Sequence, residues 1–313
     1  MAIKPHNAYT LVCAGLFSAL ACSNVQADAA SQSGAVRVST SVGMLKGESR
    51  EYVFQNDGSR LSQLNWKIPT TPIGKLRMQW DVSPFITLDV QGWKTLDTST
   101  SSMDDYDWNN GNGNGQWSDW SHSPTRFHGA SEINAALYTW LITQPTWKAG
   151  LATGYQKTHL SWSDMGGHYV YDNGQNVGDF PDGQRGIEYR QRFELPWIGI
   201  ASKWSHGAFE MNLLAKYSNK VKGDATDNHL LRDLNFEDRS RDGNYYGLSV
   251  DAGYYVIPNV KLYSELTLSQ FKRNKGHESV YHTGTGEREY YPDGSIGQRS
   301  QNYTASIGIQ SSF

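Results

Sequence analysis

The chain has 313 residues, a formal net charge of −3 and a hydrophobic content of 38%. Beyond its N-terminus no apolar stretch approaches the ~18–20 residues of a spanning helix, which excludes a helical membrane protein. No dense basic cluster points to nucleic acid.

Read from the start, Lys4 and His6 precede an apolar run, Leu11 to Ala21, followed by Val25-Gln26-Ala27. This layout predicts a secretory signal peptide over 1–27 and a single mature domain over 28–313. A lipoprotein site at Ala19-Leu20-Ala21-Cys22 ranks second, because Ala19 stands where such sites usually carry Leu. Both cysteines, Cys13 and Cys22, fall inside the leader. The exported chain is therefore expected to lack disulfides and to take its rigidity from a closed sheet.

From residue 35 onward strand-like runs follow one another: 35–54, 61–81, 85–97, 128–143, 147–165, 188–205, 208–224, 240–256, 260–274 and 300–313. From Phe209 to Val221 the odd positions are Phe209, Met211, Leu213, Ala215, Tyr217 and Val221. The even ones include Glu210, Asn212, Lys216, Ser218 and Lys220, and only Leu214 and Asn219 break the period of two. In the next two runs Leu248, Val250, Tyr254, Leu262 and Leu266 are expected to face lipid, with Asp251, Lys261 and Glu265 facing the lumen. The connections alternate in character. Ser83-Pro84, Gln144-Pro145-Thr146, His206-Gly207 and Ile257-Pro258-Asn259 are short turns, whereas 98–127, 166–187, 225–239 and 275–299 read as long polar loops. With ten runs and a terminal Phe313, the expected fold is all-β: a ten-stranded antiparallel up-and-down transmembrane β-barrel with long extracellular loops. The 11 Trp and 18 Tyr suit its membrane boundary and also a binding groove. A soluble β-sandwich alternates too, and periodicity alone does not exclude it; the leader, the turn asymmetry and the terminal Phe313 together favour the barrel.

Two short patterns carry candidate chemistry. Asp227 and His229 are two apart, so in an extended chain they point the same way, a carboxylate beside an imidazole. Asp105 and Asp107 have the same spacing. The bland reading of each pair is a solvated loop. Both, however, lie where strands enter the long segments, on what is expected to be the outer end of the barrel. A water held between facing walls there would be a nucleophile for amide cleavage, with Asp227 orienting the His229 imidazole. Ser121 and His122 have no triad spacing. His122, His128 and His168 lie in separate stretches and predict no metal site.

Several motifs resemble one family. They are Gly43-Met44-Leu45 with Arg50-Glu51, the run from Ser62 to Lys67, Asp105-Tyr106-Asp107-Trp108 and Gln191-Arg192-Phe193. Asp227-Asn228-His229 and Asn244-Tyr245-Tyr246 leading to Ala252–Val256 complete the set. Together they look like the omptins, outer-membrane endopeptidases of enterobacteria, from about Val38 to Phe313. The resemblance implies a multi-pass outer-membrane barrel whose active groove faces outside. It implies His229 as the base for the attacking water, Asp227 as its orienting partner, Asp105 as a holder of that water, and Asp107 as completing the couple. Polypeptides with basic residues are the implied substrates, and Glu51, Met103 and Ile187 are the matching specificity positions.

One departure stands out. Omptins often carry a second acidic residue two positions before the Asp of the Asp-x-His, and here that position is Ala225, with Asp224 one step earlier. A pocket with one carboxylate holds a guanidinium less firmly than one with two. The resemblance also implies no metal or organic cofactor but activation by lipopolysaccharide, at Tyr155, Arg192 and Arg241. Lys157 and His159 stand where the family has an acid and an arginine. For Arg192 and Arg241 an ordinary girdle charge is the competing reading. Other function classes stay open at this level. A catalytically silent adhesin or invasin would keep the barrel, a barrel lipase would need a Ser–His pairing that is not legible, and a secreted glycosidase would be water-soluble.

Overall fold

The computed structural model describes residues 34–109 and 115–313. The leader over 1–27, the lipoprotein alternative and both cysteines therefore lie outside the described residues. Thirteen strands form one antiparallel sheet. They are β1 (Val36–Phe54), β2 (Arg60–Ser83), β3 (Ile86–Thr95), β4 (Ser99–Asp107), β5 (Asp119–Thr143), β6 (Trp147–Asp164), β7 (Gly167–Tyr171), β8 (Asn176–Phe180), β9 (Ile187–His206), β10 (Phe209–His229), β11 (Leu234–Ile257), β12 (Val260–His282) and β13 (Arg288–Ser312). The sheet closes because β1 pairs β13 and β3 pairs β5. β3 and β4 run end to end between β2 and β5 and make one stave of a ring of ten. The β7–β8 hairpin hangs from β5. The break in that stave falls opposite Pro69 and Pro72 of β2, which offer no N–H to a ladder. At the break the Pro72 carbonyl accepts from Leu96 N–H at 2.9 Å and the Pro69 carbonyl from the Thr71 hydroxyl at 3.0 Å.

The lower half of the barrel is banded with outward apolar side chains. Leu262 and Leu266 are exposed while their neighbours Lys261 and Glu265 are buried, which is the expected alternation. Inside this band the lumen is filled rather than open. The Glu210 carboxylate lies 2.7 Å from both Lys203 and Lys261, and Arg37 donates to Asp81 at 2.6 Å. The short turns close this end; Gly207 sits at φ +57 in the two-residue link from β9 to β10, a conformation that costs glycine nothing.

The upper half departs from the sequence reading. Most of 98–127, 225–239 and 275–299 is strand rather than loop, and β10 and β11 stay paired up to His229↔Leu234. Above the membrane the outer wall meets water and carries Thr100, Arg126, Arg190 and Arg239. The apolar half of the alternation is lost there, although the backbone ladder continues.

Candidate active site

A floor of aromatic side chains fills the barrel just below its mouth. Trp66 stacks on Tyr189 at 5.0 Å and Phe193 on Phe271 at 4.2 Å, and all four are fully buried. Two strand ends rise above this floor on far sides of the ring. On β4, Met103, Asp105 and Asp107 occupy alternate positions and so share the inward face. On β10 the inward face is not the one that its lower half predicts. Glu210, Lys216 and Ser218 are buried at even positions, whereas Val221, Ala225 and Asp227 are buried at odd ones. The register slips between Ser218 and Val221, a bulge at Asn219-Lys220 that turns the odd positions inward. Without it, Asp227 and His229 would face outward with Met211 and Tyr217.

The two walls bound one groove, lined among others by Asp105, Asp107 and His229. His229 Nε2 lies 2.9 Å from Asp227 Oδ2, and the other Asp227 oxygen is buried without a hydrogen-bond partner among the described residues. Across the groove Ser62 donates to Asp105 Oδ1 at 3.2 Å. Tyr171 and Phe180, from the β7–β8 hairpin, wall one side, and Arg232 from the β10–β11 turn reaches in.

Burial and the neighbouring Asp107 push the Asp105 carboxyl well above the usual carboxylate range. Burial likewise raises Asp107, with Asp119 adding and the Ser62 hydroxyl opposing. Burial alone would lower His229, but the Asp227 carboxylate outweighs it, and the imidazole titrates above its ordinary value. The site therefore combines an oriented base with a carboxyl couple that favours holding a proton, an arrangement suited to water activation.

The sequence-derived residues divide into three places. Asp105, Asp107, His229, Met103 and Ile187 line the groove, and Asp227 backs His229. Glu51 sits apart from that lining, buried on β1. Burial and then Asp238, Asp227 and Glu278 raise its carboxyl well above the ordinary range. Tyr155, Lys157, Arg192 and Arg241 lie on the outer wall across β6, β9 and β11, tied together by carboxylates. Tyr155 Oη donates to Glu194 at 2.8 Å, Lys157 pairs with Glu194 at 2.8 Å, and Arg192 and Arg241 reach Asp224 at 3.3 and 3.2 Å. His159 is the register partner of Arg192. Asp224 thus faces outward and cannot make good the carboxylate that Ala225 lacks. Ser121 lines the groove, while His122 turns outward to Asp104 at 2.8 Å. Asp238, Glu278, Tyr171 and Arg232 were not legible as site residues. They lie in segments read as loops, where no face could be assigned.

Comparison with known proteins identifies the family. A family model described as the Omptin family matches residues 32–313. The chain belongs to the omptin family. This omptin is 39% identical over 278 residues to a plasminogen activator of Yersinia pestis, covering 88% of this chain and 89% of the relative. It is 32% identical over 287 residues to protease 7 of Escherichia coli strain K12, covering 89% and 90%. The crystal structure of the outer-membrane protease OmpT from Escherichia coli superposes with a TM-score of 0.86 at 31% identity, covering 89% of this chain and 97% of that one. The omptin described here is accordingly a protease of the outer membrane.

Proposed function

We propose that the protein hydrolyses polypeptides beside basic residues, with His229 as general base toward a water and Asp227 as its orienting partner. The observation that carries this reading is the His229–Asp227 contact of 2.9 Å on one wall of a groove whose other wall presents Asp105 and Asp107. With Nε2–H directed at Asp227, Nδ1 is the free nitrogen that accepts the water's proton. The water oxygen bonds to the scissile carbonyl carbon and the carbonyl electron pair moves to its oxygen. Collapse then breaks the C–N bond, and the leaving amine takes the proton held by His229. One water is consumed, and one carboxyl and one amine are formed. A proton retained on the Asp105–Asp107 couple lets it accept from the water and donate to the carbonyl oxygen.

Activation by lipopolysaccharide is part of the same proposal. Arg192 and Arg241, half exposed on the outer wall and bridged by Asp224, are available to lipid phosphates that compete with that carboxylate. The test is turnover of a peptide library by detergent-purified protein with and without added lipopolysaccharide. His229→Ala is expected to lower kcat by about 10²- to 10⁴-fold. Indistinguishable digests from wild type and variant would end the protease mechanism, and equal turnover without lipopolysaccharide would end the activation.

A further inference from the structure

Beside Ala225, the neighbouring strand carries an acidic side chain. Ala225 on β10 is the register partner of Asp238 on β11, and Asp238 is in turn the partner of Glu278 on β12. The three residues form one inward rung, each no more than 6% exposed. Asp238 has Glu51 and Gln298 as its polar neighbours, yet neither Asp238 oxygen, nor Glu51 Oε2, nor Gln298 Nε2 makes a hydrogen bond of full geometry among the described residues. The charges that bear most strongly on Glu51 are the carboxylates of Asp238, Asp227 and Glu278.

Buried carboxyls are ordinarily paired, because an unpaired one loses its hydration without recompense. Three of them beside Asp227, with both Asp238 oxygens and Glu51 Oε2 unsatisfied among the described residues, describe a site built for a cation that arrives from outside. Resting on the reading that basic residues are the substrates, we propose that Asp238, with Glu51 and Glu278, forms the specificity pocket for a substrate arginine, Asp238 supplying from the neighbouring strand the carboxylate that Ala225 lacks. Two carboxylates approaching from different strands, β1 and β11, can accept along two edges of the planar guanidinium, with its five donors, better than they hold the point charge of lysine. Because Asp227 belongs to both the acid cluster and the His229 pair, a side chain seated there lies beside the hydrolytic water.

The experiment uses the full-length protein with lipopolysaccharide and three peptides that differ at one residue: arginine, lysine, and citrulline, the neutral isostere of arginine. Wild type is expected to favour arginine over citrulline. Asp238→Asn is expected to lower kcat/KM on the arginine peptide by about 10- to 100-fold, the scale of a lost charged hydrogen bond, with a much smaller effect on citrulline. The same variant should unfold at a higher temperature, since it removes a buried unpaired acid, and this separates lost recognition from lost folding. The double variant Ala225→Asp/Asp238→Ala, which moves the carboxylate back across the strand pair, should recover at least ten-fold over Asp238→Ala. If wild type discriminates but Asp238→Asn keeps the same arginine-to-citrulline ratio, the pocket proposal is overturned and the basic-residue reading stands. If wild type itself treats arginine and citrulline alike, both fall.

Discussion

At the residue scale the site turns on how burial and neighbouring charge set proton affinities. Asp227 holds the His229 imidazolium to higher pH than an ordinary imidazole would keep it. The base form is the unprotonated ring, so it accumulates only as pH rises through this raised value. The acid limb of the kcat/KM profile should therefore lie above 6.5, the ordinary imidazole value. Asp227→Asn removes the charge that raises it, so the limb should move to lower pH while kcat falls, as stopped-time assays across pH 5–9 would reveal. A limb that stays in place would mean that Asp227 does not tune the ring. The Asp227-x-His229 spacing was legible in the sequence because it is local. Asp238 was not, because nothing between residues 225 and 239 says which face of the chain is inward once both faces are polar.

At the element scale, two devices place the site. The bulge at Asn219-Lys220 inverts the facing of β10, and the sequence hinted at it only where Asn219 breaks the alternation. A one-residue slip reverses every later side chain, so no periodicity read below the bulge could settle the facing above it. The second device is the β7–β8 hairpin, held to β5 by Trp120↔Val170, Ser121↔Tyr169 and His122↔His168. Gly167 makes this contact possible: it has φ +134, and a Cβ there would lie 2.4 Å from the His122 carbonyl oxygen. Gly167→Ala should displace Tyr171 and Phe180 from the groove wall. The expected cost is about 10- to 100-fold in kcat/KM from misplacement alone. Heat-modifiable gel migration should remain normal, since the hairpin lies outside the ring. Unchanged kinetics would show that the hairpin does not shape the groove.

At the scale of the whole molecule, a tall barrel carries an acidic mouth above a membrane band whose interior is tied by ion pairs. Glu210 serves Lys203 and Lys261 at once, so Glu210→Ala leaves two buried ammonium groups without their shared partner. A loss of about 3–5 kcal/mol is expected in urea unfolding, with kcat/KM of the folded fraction unchanged. The mouth should respond to pH in one direction. Burial raises Glu278 from 4.5 to about 7, and burial also raises Glu51, Asp238 and Asp105. Groups that bind protons more tightly when folded contribute stability fully below their unfolded values and lose it as pH rises through the folded ones. Thermal stability should therefore fall between pH 5 and 8, and less so in Glu278→Gln; a flat profile would contradict the acidic mouth. The barrel class and the end bearing the short turns were legible in the sequence from the leader, the alternation of short and long connections and the terminal Phe313, and the lipid-facing stripe of the lower staves from the period of two that a membrane imposes wherever one face meets lipid. The height of the staves, the inward turn of Asp227 and His229, the outward turn of Asp224 and the pairing of Ala225 with Asp238 were decided only by the closed sheet. Above the membrane water meets the outer wall, so hydrophobicity no longer marks which face is inside, and cross-strand register alone determines which side chains meet.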